Sequence, residues 1–246
     1  MNYKRIFTFG CSFTNWHWPT WADIIAVQTD IPVYNGALYG IGNVGILHKI
    51  VEYDLTYAFK KQDLILVMWT GWSREDRYLD HQWTQHGNIF NNDFYDQHFI
   101  KKYWSWENDI IKNASAILLA NKSYRIASNY SAFEYADAEI GKDIRYATDI
   151  LKTYIDHLPE SIVFDLGQNY RFNNKSLDGH PDIATQVKFY NQHIADKFNF
   201  PQVSHNSCFY EWQKDLENNL PQTNIQDQEN YIKEYFKIYK NSFSRT

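Results

Sequence analysis

Two side chains of this sequence are of the types that together carry out nucleophilic catalysis. Ser12 follows Gly10 and Cys11 in a predicted tight turn directly before a helix, where free backbone N–H groups and the positive helix end lie nearby. A hydroxyl is a weak nucleophile at neutral pH and requires an adjacent base. His180 is the histidine that a turn places at the start of a helix, and Asp178 lies two residues earlier, close enough to orient its imidazole. These residues predict covalent catalysis by a serine.

Two further loops carry groups that can approach a ligand closely. Gly40 and Gly42 lie in a glycine-rich loop, and the lack of a Cβ lets its backbone come near a bound molecule. The other loop, residues 70–74, reads Thr-Gly-Trp-Ser-Arg and follows the most apolar segment of the chain. Both loops are candidates for a ligand site that also includes Ser12.

The elements that must position these loops alternate between strand and helix along the first 70 residues. Strands are predicted at Arg5–Phe9, Ile31–Tyr34 and Asp63–Trp69, with one helix opened by Pro19 and another beginning at Val44. Strands separated by helices of this length pair in parallel through right-handed crossovers. The pattern predicts an α/β fold, a three-layer doubly wound parallel sheet. Ligands bind beyond the carboxyl ends of such strands, where all of these loops lie.

Helical spacing also predicts the buried faces and the later elements. Further helices are expected at 103–119 and 144–158, and later strands at 124–127 and 162–166. The buried face of the second helix is expected to contain Leu47, Val51, Leu55 and Ala58. The buried face of the helix after His180 is expected to contain Ile183, Val187, Tyr190, Ile194 and Phe198.

These blocks, in this order, resemble the SGNH (GDSL-type) hydrolase superfamily, serine esterases built on a flavodoxin-like sheet. The resemblance covers residues 5–75 and 176–198. In that family a Gly-Asp-Ser block carries the nucleophile, which corresponds to Ser12. An Asn followed five residues later by an oxyanion glycine corresponds to Asn35 and Gly40, and the last block's His-Pro pair corresponds to His180 and Pro181. The resemblance implies an oxyanion hole formed by the N–H groups of Ser12 and Gly40.

The sequence departs from the family pattern in three places. Cys11 replaces the Asp of the first block, and as a thiol near a predicted helix N-terminus it is an alternative nucleophile. Asp178 stands two residues before His180 where the family has three, which leaves Asp182 as a second candidate to orient the ring. The third block lacks the Asn that supplies an oxyanion donor. The available substitutes for that donor are Thr70, Ser73 and Arg74.

An aromatic-rich insertion follows the third strand. Residues 72–100 lack regular periodicity, so we interpret them as an inserted loop or cap. Its rings either fill the core of the insertion or form a stacking wall for a sugar or acyl group, and both interpretations stand. Its histidines and aspartates fit no tight ligand spacing, so no metal site is predicted. The predicted substrate-binding residues in or near it are Trp72, Arg74, Trp83 and Trp104.

Composition bounds the class of protein. The chain has 246 residues, 44% of them hydrophobic, which predicts a globular protein. We expect one domain at 1–200 and a helical extension at 201–246 that packs on this domain or on a partner, with polar residues followed by one amphipathic helix. The formal net charge of −5 argues against nucleic acid as a partner. No apolar stretch approaches the roughly 20 residues that span a bilayer, so no membrane association is expected. Two cysteines and no apolar signal segment predict a cytoplasmic protein.

The leading hypothesis is therefore a serine esterase that removes a small, acetyl-like acyl group from an oxygen, on a small molecule or a carbohydrate. The mechanism requires neither a metal nor an organic cofactor. Two alternatives stay open. The first is a carbohydrate-binding or interaction protein on the same scaffold, which is favoured by the missing Asn, the shifted Asp178 and the aromatic insertion. The second is a related enzyme that transfers the acyl group to an acceptor other than water.

Overall fold

The computed structural model describes residues 3–70, 74–79, 82–88, 124–129, 161–164, 180–221 and 223–243. Five of the strands in these residues form one parallel sheet, and the other two form an antiparallel hairpin. The strands are β1 (Arg5–Phe9), β2 (Val33–Asn35), β3 (Asp63–Trp69), β4 (Arg74–Leu79), β5 (Gln82–Asn88), β6 (Tyr124–Asn129) and β7 (Ser161–Phe164). The sheet order is β2-β1-β3-β6-β7. This topology confirms the predicted parallel α/β fold.

Helices flank the sheet within the described residues. They are α1 (Trp21–Gln28), α2 (Asn43–Tyr57), α3 (Ile183–Phe189), α4 (Cys208–Asn219) and α5 (Ile225–Phe243). The helix α3 continues through a π-helical segment, Tyr190–Ala195, into a last turn, Asp196–Phe198. No helix among the described residues combines the length and apolarity needed to cross a membrane. The helices predicted at 103–119 and 144–158 lie outside the described residues.

The central strand β3 is buried along its whole length because the sheet carries apolar layers on both faces. On one face, Ile6 and Leu64 join a core cluster with side chains of α1, α3, α4 and α5. On the other face, the Phe7 ring lies 5.7 Å from Tyr57 of α2, between ring centroids. The helices therefore cover the sheet on both sides, as a doubly wound fold requires.

The buried face of α2 differs from the prediction. Leu55 is 83% exposed and Val51 is also exposed, whereas Ile46 and Ile50 are buried. The inward face continues through Tyr53, whose ring lies 5.2 Å from that of Phe9, between centroids. Aromatic rings bury more area than Val or Leu, so the face that includes them is the one that packs on the sheet.

The segment after residue 201 contains a helix that the sequence pattern did not predict. We expected polar residues followed by one amphipathic helix, but α4 buries Phe209, Trp212 and Leu216. The Trp212 ring lies 5.8 Å from Phe236 of α5, between centroids, and both belong to the core cluster shared with α1 and α3. The last two helices therefore extend the core of the sheet domain.

Part of the segment 72–100 is regular. The strands β4 and β5 pair in antiparallel register, with Tyr78 opposite Trp83, where the sequence analysis expected an irregular loop. Neither strand shows the apolar alternation from which a half-buried strand is recognised. The hairpin is fixed to α2 by Asp76, whose Oδ1 and Oδ2 accept hydrogen bonds from the N–H groups of Gly42 (2.7 Å) and Gly45 (2.9 Å).

An ion pair links β1, β3 and α2. Arg5 Nη2 lies 2.6 Å from Oδ2 of Asp63, a residue that is only 1% exposed, and Arg5 Nε donates to Oδ1 at 2.9 Å. The hydrogen bond to Asp63 raises the pKa of Arg5 above its ordinary value. The guanidinium also donates to the main-chain carbonyls of Tyr57 and Ala58 at the end of α2. One side chain thus ties three elements together.

We expect Arg5→Ala to lower the free energy of unfolding by about 3 kcal/mol, because it leaves the Asp63 carboxylate buried without its partner. Urea denaturation measures this loss. The matched control is Lys49→Ala, which breaks the surface pair with Glu52 and is expected to cost less than about 1 kcal/mol. Equal losses in the two variants would contradict a structural role for the Arg5 pair.

Candidate active site

The predicted nucleophile lies in a tight turn at the carboxyl end of β1. The carbonyl of Cys11 accepts hydrogen bonds from the N–H groups of Thr14 (2.9 Å) and Asn15 (3.1 Å), which closes the turn around Ser12. A Cβ on Gly10 would lie 2.2 Å from Thr14 Oγ1, so only glycine fits before this turn. Ser12 is 3% exposed, and its Oγ has no hydrogen-bond partner among the described residues.

The helix α1 begins close to its predicted start. Pro19 was expected to open it, and it starts at Trp21, where Asp23 Oδ2 accepts the N–H of Thr20 at 2.8 Å in a capping box. Ser12 was expected directly before this helix, but residues 13–20 separate the two. The N-cap residue Thr20 also donates from Oγ1 to the carbonyl of Thr14 at 2.8 Å, which holds the start of α1 against the loop that carries Ser12. Cys11, the alternative nucleophile, is a buried thiol in the same loop.

Residues 12–20 form an aromatic loop between β1 and α1, and this loop surrounds His180. The imidazole stacks on the indole of Trp16, with 3.8 Å between centroids and 17° between planes. Phe13, the residue after Ser12, contacts the same imidazole edge-on at 5.5 Å, and Trp18 does so at 6.5 Å. The structure therefore brings His180 to the loop that carries Ser12, although no hydrogen bond joins Ser12 Oγ to His180.

The segment after His180 is anchored to the Ser12 loop and to the start of α1 by three hydrogen bonds. Trp18 Nε1 donates to the carbonyl of Pro181 at 2.9 Å. Gln186, which is 1% exposed, accepts the N–H of Trp21 through Oε1 at 3.0 Å and donates from Nε2 to the carbonyl of Phe13 at 3.4 Å. These contacts fix α3 relative to the loop, and they join residues more than 150 positions apart.

A second buried glutamine caps the same helix from α4. Gln213 Oε1 accepts the N–H groups of Ile183 (3.0 Å) and Ala184 (3.4 Å), and its Nε2 lies 3.4 Å from Asp182 Oδ2. Asp182 is the N-cap of α3, since its Oδ1 accepts the N–H of Thr185 at 2.8 Å. Both Asp182 oxygens are thus engaged at the helix start. The alternative that Asp182 orients His180 is not supported by this arrangement.

The glycine-rich loop is cross-linked to the Ser12 loop. Asn35 Nδ2 donates to the carbonyl of Thr14 at 3.0 Å, and Leu38 N donates to the carbonyl of Gly10 at 3.1 Å. Gly40 has a φ of 80°, a left-handed conformation that favours glycine. No hydrogen bond within the described residues uses the N–H of Ser12 or of Gly40. Both groups retain the capacity to donate to a ligand.

The end of β3 is held by an asparagine that the sequence analysis did not single out. Asn43 is buried at the start of α2, where its Oδ1 accepts the N–H of Thr70 at 2.9 Å and its Nδ2 donates to the Thr70 carbonyl at 3.3 Å. The main-chain N–H of Thr70 is therefore occupied. Thr70 can therefore donate a hydrogen bond to an oxyanion only through its hydroxyl.

The remaining predicted site residues are only partly covered by the structure. Asp178, Ser73, Trp72 and Trp104 lie outside the described residues, and Trp83 is described only through its place in β5. Arg74 is half-buried at the start of β4, and its carbonyl would lie 2.9 Å from a Cβ at Gly42, which places β4 beside the glycine-rich loop. The roles assigned to these residues stay predictions.

Sequence reasoning missed the side chains that position the site, namely Trp16, Asn43, Gln186 and Gln213. The aromatic run from Phe13 to Trp18, directly after the predicted nucleophile, is a signal that could have indicated Trp16. The three amides carry no such signal, because their partners are backbone groups of distant segments.

Comparisons with known proteins support the fold. No protein-family model matches the chain, and no curated protein matches its sequence. Among solved structures, a member of the lipolytic protein G-D-S-L family from Veillonella parvula aligns with a TM-score of 0.50 and 15% identity, covering 79% of this chain and 98% of that one. TesA aligns with a TM-score of 0.47 and 11% identity over 76% and 93% of the two chains. An acetyl xylan esterase, Est2A, from Butyrivibrio proteoclasticus aligns with a TM-score of 0.39 and 10% identity over 88% and 64%. At 15% identity, the likeness to the Veillonella parvula structure concerns the fold alone, and at that level it agrees with the resemblance seen in the sequence blocks.

Proposed function

We propose that this chain, which has the fold of the SGNH hydrolases, is a serine esterase that cleaves small acyl esters with Ser12 as nucleophile and His180 as base. The observation that carries the proposal is the convergence of these two residues. A buried serine hydroxyl without a hydrogen-bond partner lies in the same loop whose rings surround His180. A buried polar group left without a partner costs stability, which is typical of functional positions.

In the proposed reaction, Ser12 Oγ attacks the ester carbonyl carbon while His180 accepts the hydroxyl proton. The carbonyl oxygen becomes an oxyanion, which the N–H groups of Ser12 and Gly40 stabilise. His180 then donates the proton to the leaving alcohol, and the acyl group remains on Ser12. Water, deprotonated by His180, attacks the acyl-enzyme; the bond between the acyl carbon and Ser12 Oγ then breaks, His180 returns its proton to Ser12 Oγ, and the acid is released. The Ser12–His180 hydrogen bond forms when substrate binds, as is common for catalytic contacts that are long in the free enzyme.

The burial of Ser12 supports a short acyl group. At 3% exposure, the hydroxyl lies in a confined position, whereas a long acyl chain requires an open aliphatic groove along the nucleophile. Carbohydrate as the alcohol component was expected from Trp72, Trp83 and Trp104, which lie outside the residues whose side chains are described. That expectation stays part of the proposal.

We expect a fluorophosphonate probe to label Ser12 covalently, because such a probe reports an activated serine without requiring the natural substrate. Peptide mapping by mass spectrometry identifies the site. The control Cys11→Ala is expected to retain labelling, since the thiol is not the nucleophile, whereas Ser12→Ala is expected to abolish it. Labelling that persists in Ser12→Ala, or that is lost only in Cys11→Ala, would overturn the assignment.

Two observations favour the second candidate, a binding protein on this scaffold. Ser12 and His180 are not hydrogen-bonded in this structure, and the third block lacks the family's asparagine. A folded protein that remains unlabelled by the probe and hydrolyses no short-chain ester would support this alternative.

A further inference from the structure

Three rings from two loops form an aromatic shelf beside the candidate site. The shelf consists of Trp16 and His17 from the loop after Ser12 and of Tyr39 from the glycine-rich loop. The Tyr39 ring meets Trp16 at 6.0 Å and 84°, and it meets His17 at 6.1 Å and 55°. Trp16 and His17 lie 4.5 Å apart. Each ring therefore contacts the other two.

The outer ring of the shelf faces solvent. Tyr39 is 54% exposed, and the other two rings are half-buried. The other large apolar side chains exposed in the described residues, Val27, Val51, Leu55 and Ile225, all lie on helices. Single exposed side chains of that kind are ordinary on protein surfaces. Tyr39 differs because it extends a cluster of rings that continues inward to His180.

The position of the shelf relates it to one part of an ester substrate. In the proposed reaction, His180 donates its proton to the oxygen of the leaving alcohol, so the alcohol lies next to the imidazole. Trp16 stacks on that imidazole, and Tyr39 is separated from it by the indole. Tyr39 also directly precedes Gly40, the second oxyanion donor. The shelf consequently borders the alcohol side of the scissile bond.

We propose that the aromatic shelf, with Tyr39 as its exposed ring, binds the leaving alcohol and selects alcohols that carry a pyranose ring. This inference rests on the proposed esterase function. An exposed aromatic face packs well against the C–H face of a saturated ring, and the Tyr39 phenol adds a hydrogen-bonding group at the edge of that face. An alkyl chain would instead be matched by a groove of aliphatic side chains, and the shelf contains none. A pyranose has apolar C–H faces and polar hydroxyls at its rim, so it matches both the aromatic face of the shelf and the hydrogen-bonding group at its edge.

The test compares two acetate esters that differ only in the alcohol, methyl 6-O-acetyl-glucopyranoside and ethyl acetate. The measured quantity is the ratio of their kcat/KM values. Tyr39→Ala is expected to lower this ratio by about 3- to 10-fold, mainly through KM for the pyranoside. Tyr39→Phe keeps the ring and is expected to keep the ratio within about twofold. The control Leu55→Ala removes an exposed apolar side chain on α2, away from the shelf, and leaves the ratio unchanged.

An equal loss for both esters in Tyr39→Ala, or an unchanged ratio, would overturn the proposal. A loss in Tyr39→Phe as large as in Tyr39→Ala would also overturn it, because the hydroxyl rather than the ring face would then be responsible. Since Tyr39 is exposed, these variants are expected to fold, which a thermal melt verifies.

A binding measurement separates this proposal from the esterase function. Ser12→Ala is titrated with the same acetylated pyranoside, by saturation-transfer NMR, with and without the additional Tyr39→Ala change. Binding that weakens about 3- to 10-fold with Tyr39→Ala supports the shelf even when the parent protein shows no turnover. Absence of binding to Ser12→Ala, or binding independent of Tyr39, refutes the shelf even when the parent hydrolyses ethyl acetate.

Discussion

Replacing either Ser12 or His180 by alanine is expected to lower kcat/KM for a short-chain aryl ester by more than about 10⁴-fold. The nucleophile and its base act as a unit, so the double variant is expected to be no slower than the worse single variant. Steady-state kinetics with 4-nitrophenyl acetate measures these values. The matched controls are Ser204→Ala and His205→Ala, two exposed residues before α4, which are expected to retain activity.

The same Ser12→Ala variant is expected to be more stable than the parent by about 1 kcal/mol in urea denaturation, because it removes a buried hydroxyl that has no partner. A variant that loses activity together with stability would indicate damage to the fold. Retention of most activity by either folded single variant would refute the catalytic assignment.

The second large effect is expected from Gln186, which lies 1% exposed between α3 and the Ser12 loop. Gln186→Leu removes the acceptor of the Trp21 N–H and the donor to the Phe13 carbonyl. We expect kcat to fall by about 10²-fold, because a displacement of His180 relative to Ser12 of about 1 Å has an effect of that size. KM is expected to change little, since Gln186 belongs to neither the shelf nor the oxyanion donors.

Gln186→Leu also leaves a buried N–H and a partly buried carbonyl unsatisfied, and we expect the free energy of unfolding to fall by about 2 kcal/mol. The rate of fluorophosphonate labelling at Ser12 should fall in proportion to kcat, which distinguishes lost alignment from lost folding. Gln226→Leu on the exposed side of α5 is the control and should alter neither rate. Lower stability with unchanged kcat and labelling would show that Gln186 supports only the fold.

The sequence predicted the sheet well because its strands are short apolar segments between helices. The bounds of β1 and β3 match the prediction, and β3 is buried at all seven positions. Parallel topology then accounts for the encounter of Ser12 and His180, since loops at the carboxyl ends of strands converge. The start of α1 was also predicted to within two residues by Pro19, and the spacing of Thr20 and Asp23, which is that of a capping box, marks the observed start.

Other features of the site depend on tertiary contacts that leave no local pattern. Gln186, Gln213 and Asn43 bind backbone groups of other segments, and a glutamine or asparagine in a helix is usually a surface residue. The face of α2 was assigned to Leu55 because aliphatic spacing was counted and the tyrosines were not. The stacking of Trp16 on His180 joins two loops far apart in the chain, so only the folded structure reveals it.

The Gln213 side chain of α4 caps α3, and it is synthesised after the helix that it caps. Synthesis proceeds from the N-terminus at about 5–20 residues per second, so Ser12 and His180 leave the ribosome before Gln213. Until Gln213 arrives, the N–H groups of Ile183 and Ala184 lack their acceptor, and the segment that bears His180 lacks this anchor. On the proposed function, we therefore expect a nascent chain that already contains Ser12 and His180 to gain esterase activity only once α4 is complete.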